Sequence, residues 1–545
     1  MIDLIAANLG PIMFVVVMGL LLLGYPVAFT LAAGGLAFFA IGVWMSSLAP
    51  DLVHLSWPLL LAQPDRTFGI LSNETLLAVP FFTLMGAIFQ RTGIAEELLE
   101  VVARLFGPVR GGLCLSVVLV GALLAATTGV VSASVMTMGL IALPIMLRSG
   151  YDARLAAGTI TASGTLSQIV PPSLVLIVMA DQVGRPVGEM YRGAMVPALI
   201  LIGLFCLFII AVAILAPKKM PPMVGFHASR RDFAGLAATL GLGVAVTLAA
   251  QVLIADTLRY EYRLVSAVAL GALGALLAVL WREPGDFVRR AILALVPTLG
   301  LIFLVLGTIF LGIATPTESG AMGATGALIL ALARGKLPMV ELRAALEQTA
   351  TLTTFVFFIL IGARMFSLTF YGLGGDEWLH GLLMGLPGEA LGFVIFSMVV
   401  IFILGCFLDF FEIAFIVVPL LMPTALALGI DPLWFGILIS MNLQTSFLTP
   451  PFGFALFYLR SVAPRPGRQA AGVRGITTGE IYSGPLPFVA LNLLLIGLVI
   501  AFPQLVLPHV DMLPAGGGGE PRLPLIDDVP AEDGDGGGSL NHLFR

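Results

Sequence analysis

Charge is what this chain has least of. Of its 545 residues only 11% are charged, against about a quarter in a soluble domain. No charged side chain lies between Leu4 and Pro50, and none between Gly111 and Leu147. Roughly 20 apolar residues cross a bilayer as a helix, so these runs exclude a soluble globular protein and imply spanning helices in tandem. Cysteine is scarce as well. Cys114, Cys206 and Cys406 sit in apolar runs and read as small buried hydrophobes, which excludes a disulfide framework. The five histidines are scattered, and no His/Cys cluster has metal-ligand spacing, so no transition-metal site is expected. Nothing is basic enough for nucleic acid. The glycine-rich "GAMGATGA" (320–327) lacks the lysine of a phosphate loop, which leaves no nucleotide motif and disfavours an ATP-driven pump. Asp3 without a basic n-region argues against a cleaved signal peptide.

The net charge of −5 decides little, because six acids lie between Glu520 and Asp535. With "GGGG" and "GDGGG" runs, residues 510–545 read as a disordered acidic tail. Basic residues occur in too many loops for the positive-inside rule to orient the chain.

What is present is a repeat. Pro144, Asp152, Ser167, Pro171 and Pro172 each meet an identical residue 279 positions on, at Pro423, Asp431, Ser446, Pro450 and Pro451. "PFFTLMGAIF" (80–89) meets "VFFILIGARM" (356–365) at an offset of 276. Several matches in order imply a duplicated unit. The expected organisation is a first half over 1–216, a linker over 217–290 carrying about two extra apolar segments, and a second half over 291–509.

Each half interrupts an apolar stretch with a proline pair, in "SQIVPPS" (167–173) and "SFLTPPF" (446–452). A helix does not continue through adjacent prolines. Either each stretch is one kinked spanning helix, or the chain turns there and leaves on the side it entered. The matched pair favours re-entrant hairpins at about 155–185 and 433–462, the sequence pointer to a transporter site. Small polar residues gather there: Ser163, Thr165 and Ser167 in one, Asn442, Gln444, Thr445, Ser446 and Thr449 in the other. Hydroxyls and unwound carbonyls suit a hard monovalent cation such as sodium, and free amides favour an anion. Such residues also serve simply as small packing groups. Intramembrane charges mark Glu318, Arg364, Asp409 and Glu412, with Arg364 able to neutralise a substrate carboxylate.

The stretch "GCFLDFFEIAFIVVPLLMPTALALGIDPLWFGILISMNLQTSFLTPPFGFALF", with "TASGTLSQIVPPS" and "GIATPTESGAMGA", closely resembles the DctM-like large membrane subunit of tripartite ATP-independent periplasmic (TRAP) transporters. The resemblance implies an all-α polytopic protein of the bacterial inner membrane, built from two inverted repeats with two re-entrant hairpins and an elevator-type transport domain. It implies sodium-driven import of an organic acid, a separate small membrane subunit and a periplasmic substrate-binding protein as partners, lipid around the chain, and no cofactor beyond coupling sodium ions. Carried across, one sodium site would use Thr128, Gly129, Ser132, Ser167, Val170 and Pro171, and the other Gly405, Ser446, Thr449 and Pro450. Val130 and Val131 depart from the family, which often has serines there. Arg364, Ser163, Asn442 and Thr445 are the candidate substrate residues. The alternative is an ion channel or passive anion pore with two re-entrant loops. An enzyme is disfavoured, because no nucleophile–base pair is evident.

Overall fold

The computed structural model describes residues 2–223, 229–253, 259–282, 285–464 and 475–507. The expected tail at 510–545 lies outside the described residues. Among those described there is no strand, and nine helices are long and apolar enough to cross a membrane.

The helices that build the site are, in chain order, α1 (Val27–Leu48), α2 (Ala78–Arg91), α3 (Gly112–Thr128), α4 (Val131–Arg148), α5 (Ala153–Thr165), α6 (Leu174–Val183) and α7 (Val187–Leu215). After them come α8 (Asp286–Phe310), α9 (Pro316–Ala333), α10 (Met339–Gly372), α11 (Glu389–Gly405), α12 (Phe410–Ala427), α13 (Pro432–Phe447), α14 (Phe454–Val462) and α15 (Leu486–Ala501). The helices Arg230–Leu253 and Tyr260–Arg282 fall in the expected linker and pack on each other. Thr247 and Gly271 bring them close: a Cβ on Gly271 would lie 1.9 Å from the Thr247 hydroxyl. Such small-residue seams are how membrane helices approach.

The repeated residues act locally. Asp152 caps α5, its Oδ1 accepting from the amides of Arg154 and Leu155, and Asp431, its counterpart, accepts from the Trp434 amide at the start of α13. The acids singled out as intramembrane charges are caps too. Glu318 closes a capping box with Thr315 at the exposed start of α9, and Glu412 accepts from the Asp409 amide at the start of α12.

Helix α15 serves as a ruler. Its 16 residues rise about 24 Å. At one end Gly484 touches the backbone of Arg154 and Gly158 on α5. At the other, Trp434 Nε1 donates to the Val499 carbonyl. Helix α5 therefore starts at the Gly484 end and α13 at the Trp434 end, and the two run in opposite directions.

The path beyond each proline pair corrects the expected hairpins. Met179 and Val183 of α6 reach Gly436 of α13, and Arg185 pairs with Asp431 at 3.2 Å. The α5–α6 segment thus begins at the Gly484 end and finishes at the Trp434 end. It does not turn back over 155–185. Likewise Leu459 and Val462 of α14 meet Gly139 of α4, and Arg460 donates to the Ile476 carbonyl, so α13–α14 runs on to the Gly484 end rather than returning over 433–462. The Pro171–Pro172 and Pro450–Pro451 peptide bonds, both cis, lie in these two breaks.

The segments that do return are their neighbours. Helix α3 ends at Gly129 (φ +60) and α4 starts at Val131. A side chain at this φ is disfavoured, so the glycine lets the chain reverse. The Leu113 amide at the start of α3 donates to the hydroxyl of Tyr151, just past α4, at 3.4 Å. In the second half, Phe393 of α11 lies 5.7 Å from Phe435, while Thr424 near the end of α12 meets His380 at 3.0 Å. Both arms of α11–α12 end at the Trp434 end.

Candidate functional site

Each turn faces a break. A Cβ on Gly129 would lie 3.0 Å from Leu174 Cγ and 3.3 Å from the Leu174 amide, where α6 begins. A Cβ on Gly405 would lie 2.3 Å from Ser446 Oγ, near the end of α13. The structure thus brings Gly129 to the first proline break and Gly405 to Ser446 of the second. Gly405 meets the expected Ser446, whereas the contact of Gly129 is to Leu174, beyond the expected Ser167, Val170 and Pro171.

In the first break, Ser173 Oγ donates to the Ser167 carbonyl at 2.7 Å and to the Gln168 carbonyl at 3.1 Å, and Tyr191 donates to the Ser173 carbonyl. Ser167 and Ser163 donate to carbonyls one turn back in the chain, at Gly164 and Ile160. In the second, Ser446, Thr445 and Thr449 do the same, at Leu443, Met441 and Thr445. A hydroxyl whose proton is committed in this way presents only lone pairs. Val170 and Pro450 are half-buried, whereas Pro171 is buried. Thr128 is the last residue of α3, and its side chain lies outside the described structure.

Two expected positions lie elsewhere. Ser132, with Val130, lines a cavity of about 380 Å³ between α2, α4 and α10, whose walls include Gln90 and Gln348. Arg364 on α10 lines a separate pocket of about 280 Å³ with Arg66, Asn73 and Asp181. It is not brought together with Ser163, Asn442 or Thr445. Asn442 instead donates to the Met398 carbonyl of α11 at 2.6 Å, tying the returning arm to the broken helix. Asn442→Leu removes that tie between the two helices, at about 0.5–1.5 kcal/mol, while the Met398 carbonyl keeps its place in the α11 ladder. It is expected to lower the thermal unfolding midpoint in detergent; an unchanged midpoint would show the bond to be dispensable.

Gln168 and Gln444 complete the centre. Gln444 Nε2 reaches Thr165 Oγ1 at 3.5 Å, a separation of 279 in sequence. The two stand at corresponding positions of the sequence repeat. Gln444 Oε1 and both polar atoms of Gln168 are buried without a protein partner among the described residues. Buried amides demand polar partners, so these three atoms mark a polar centre between the breaks. Gln168 stands inside "SQIVPPS" itself; its proximity to the proline pair was the available signal.

Comparison with known proteins supports the all-helical membrane fold. The family described as "Tripartite ATP-independent periplasmic transporter, DctM component" matches residues 14–505. The C4-dicarboxylate TRAP transporter large permease protein DctM of Pseudomonas aeruginosa is 28% identical over 83% of this chain and 92% of its own. The sialic acid TRAP transporter large permease protein SiaM of Vibrio cholerae is 24% identical over 90% and 97%. The crystal structure of the YdaH transporter of Alcanivorax borkumensis shares the fold with a TM-score of 0.52 at 16% identity, covering 87% of this chain and 99% of that one. With nine helices among the described residues long and apolar enough to cross a membrane, and a family match over nearly its whole length, the chain is a multi-pass protein of the bacterial inner membrane and belongs to the DctM family of TRAP transporter large permeases.

Proposed function

We propose that this chain is the large permease of a sodium-coupled importer of an organic acid, with α3–α4 and α11–α12 as its re-entrant hairpins. The two halves are then inverted repeats. The observation that carries the reading is the paired geometry at the centre: Gly129 against the start of α6, and Gly405 against Ser446, in segments that run in opposite directions. Broken helices at the interface of inverted repeats hold coupling ions on freed carbonyls and anions on freed amides. Sodium binds at each turn–break pair through Gly129, Ser167, Val170 and Pro171, and through Gly405, Ser446, Thr449 and Pro450. Thr128 adjoins Gly129 at the first, whereas Ser132 faces the neighbouring cavity of α2, α4 and α10. Ser163, Asn442, Thr445, Gln168 and Gln444 surround the substrate between them.

Charge sorts the two ends. The Gly484 end carries Arg110, Arg148, Arg154, Lys218 and Lys219, with Asp152 donating its amide to the Lys219 carbonyl. The Trp434 end carries Glu74, Asp181, Glu189, Glu318 and Asp376, with Arg66, Arg185, Arg192 and Arg364 among them. The positive-inside rule makes the Gly484 end cytoplasmic. A periplasmic binding protein then delivers the solute to the acidic end, a small membrane subunit braces the scaffold, and the repeat unit carries the loaded site across as an elevator. The relatives' names point to small carboxylate-bearing solutes.

The test is uptake of labelled organic acids into proteoliposomes holding the chain, its small subunit and the binding protein. Uptake should require an inward sodium gradient and the binding protein, and vanish when potassium replaces sodium. Uptake indifferent to both would instead mark a passive pore.

A further inference from the structure

Arg66 and Arg364 converge on one pocket from two different elements. Arg66 stands on the short helix Gln63–Leu71, and Arg364 stands on the long helix α10. The opposite wall is Asn73 and, from the end of α6, Asp181. The wall residues satisfy one another. Asn73 Nδ2 donates to Asp181 Oδ1 at 2.7 Å, and Gln182 Nε2 donates to Asp181 Oδ2 at 2.7 Å. Neither guanidinium has a hydrogen-bond or ion-pair partner among the described residues. The pocket lies near the Trp434 end, since Asp181 is in the same helix as Val183, which touches Gly436.

We propose that Arg66 and Arg364 form an entry subsite for the carboxylate of the transported anion, outside the central site. The inference rests on the transport reading for the solute's identity, but not for the existence of an anion site. Guanidinium pairs recognise carboxylates by parallel charged hydrogen bonds, and a concave setting strengthens their field. The surrounding end is acidic and repels a free organic anion, so a local pair of uncommitted arginines supplies the attraction that the end as a whole lacks. On the elevator reading proposed above, the subsite also joins two elements that move relative to each other. Arg364 belongs to a helix that packs along α1, whereas Asp181 belongs to the α5–α6 unit that carries the first break. A carboxylate held by the arginines sits across from Asp181 and is handed toward the break when that unit moves.

The first arm of the test needs no transport. In a background without Cys114, Cys206 and Cys406, Gly69→Cys places a thiol in the pocket wall, where a Cβ meets nothing within 4 Å. The purified chain should react faster with a negatively charged thiosulfonate than with a positively charged one, and succinate should slow the negative reagent. Losing charged hydrogen bonds costs about tenfold or more, so Arg66→Gln or Arg364→Gln should lower the ratio of the two rates about tenfold and abolish the succinate effect. A ratio unchanged by either variant overturns the proposal. In the second arm, the same variants in the complete transport system should raise the apparent KM about tenfold at unchanged maximal rate and unchanged sodium requirement, with Arg364→Lys recovering part of the loss. A fall in maximal rate at constant KM would show a structural role instead. If the wild-type system carries nothing, the transport reading fails while the labelling arm still decides the pocket.

Discussion

Gly158→Leu is expected to abolish recovery of the folded protein. Gly158 on α5 and Gly484 before α15 meet backbone to backbone. A Cβ on Gly158 would lie 2.3 Å from the Gly484 carbonyl oxygen, and one on Gly484 would lie 2.2 Å from the Arg154 carbonyl oxygen. Backbone cannot rotate aside as a side chain does, so the helices must separate. Overpacking a close crossing costs about 1–3 kcal/mol or more, and small residues are what let helices in lipid approach closely enough for van der Waals packing to hold them. Gly158→Ala should show the graded form, with a lower unfolding midpoint and reduced monodisperse yield. Leucine at 158 with wild-type yield and midpoint would mean that α5 and α15 do not cross here.

Gly405→Ala is expected to remove sodium-dependent uptake while leaving the chain folded. The new methyl would meet Ser446 Oγ at 2.3 Å and Ser446 Cβ at 3.0 Å. The hydroxyl can swing away, so the fold survives, but the oxygen proposed for sodium is then displaced. Ser446→Gly in the Gly405→Ala background should relieve the clash and restore the unfolding midpoint without restoring sodium dependence, since the oxygen is gone. Recovery of both would mean that Ser446 only packs. Normal sodium dependence in Gly405→Ala alone would remove this site from the mechanism.

Much of the framework was legible in the sequence because it rests on local chemistry. Asp152 and Asp431 recur because each caps a helix, and Pro171–Pro172 and Pro450–Pro451 recur because each ends one. The course of the chain past a break is not local. A proline pair removes donors and forbids the next turn, yet whether the chain then reverses depends on partners such as Gly436 for α6 and Gly139 for α14, far away in sequence. The actual reversals announce themselves weakly, because Gly129 needs only a positive φ and the turn after Gly405 uses the capping box of Asp409 and Glu412. The strong signal therefore marked the segments that cross, and the faint one the segments that return. The site was legible in part for the same reason. Ser167 and Ser446 stand beside the prolines, whereas nothing in the neighbourhood of Arg364 reveals that Arg66 and Asp181 share its pocket.

The direction of the broken helices is tested most directly by the sidedness of four positions. In a background lacking Cys114, Cys206 and Cys406, single cysteines at Arg148, Arg185, Ala427 and Ser461 would be labelled with a membrane-impermeant thiol reagent, in intact cells and in inverted vesicles. Arg185→Cys and Ala427→Cys should react only from the periplasm, and Arg148→Cys and Ser461→Cys only from the cytoplasm. Arg148→Cys and Arg185→Cys reacting from the same side would mean that the chain turns back at Pro171–Pro172, contradicting the crossing of α5–α6.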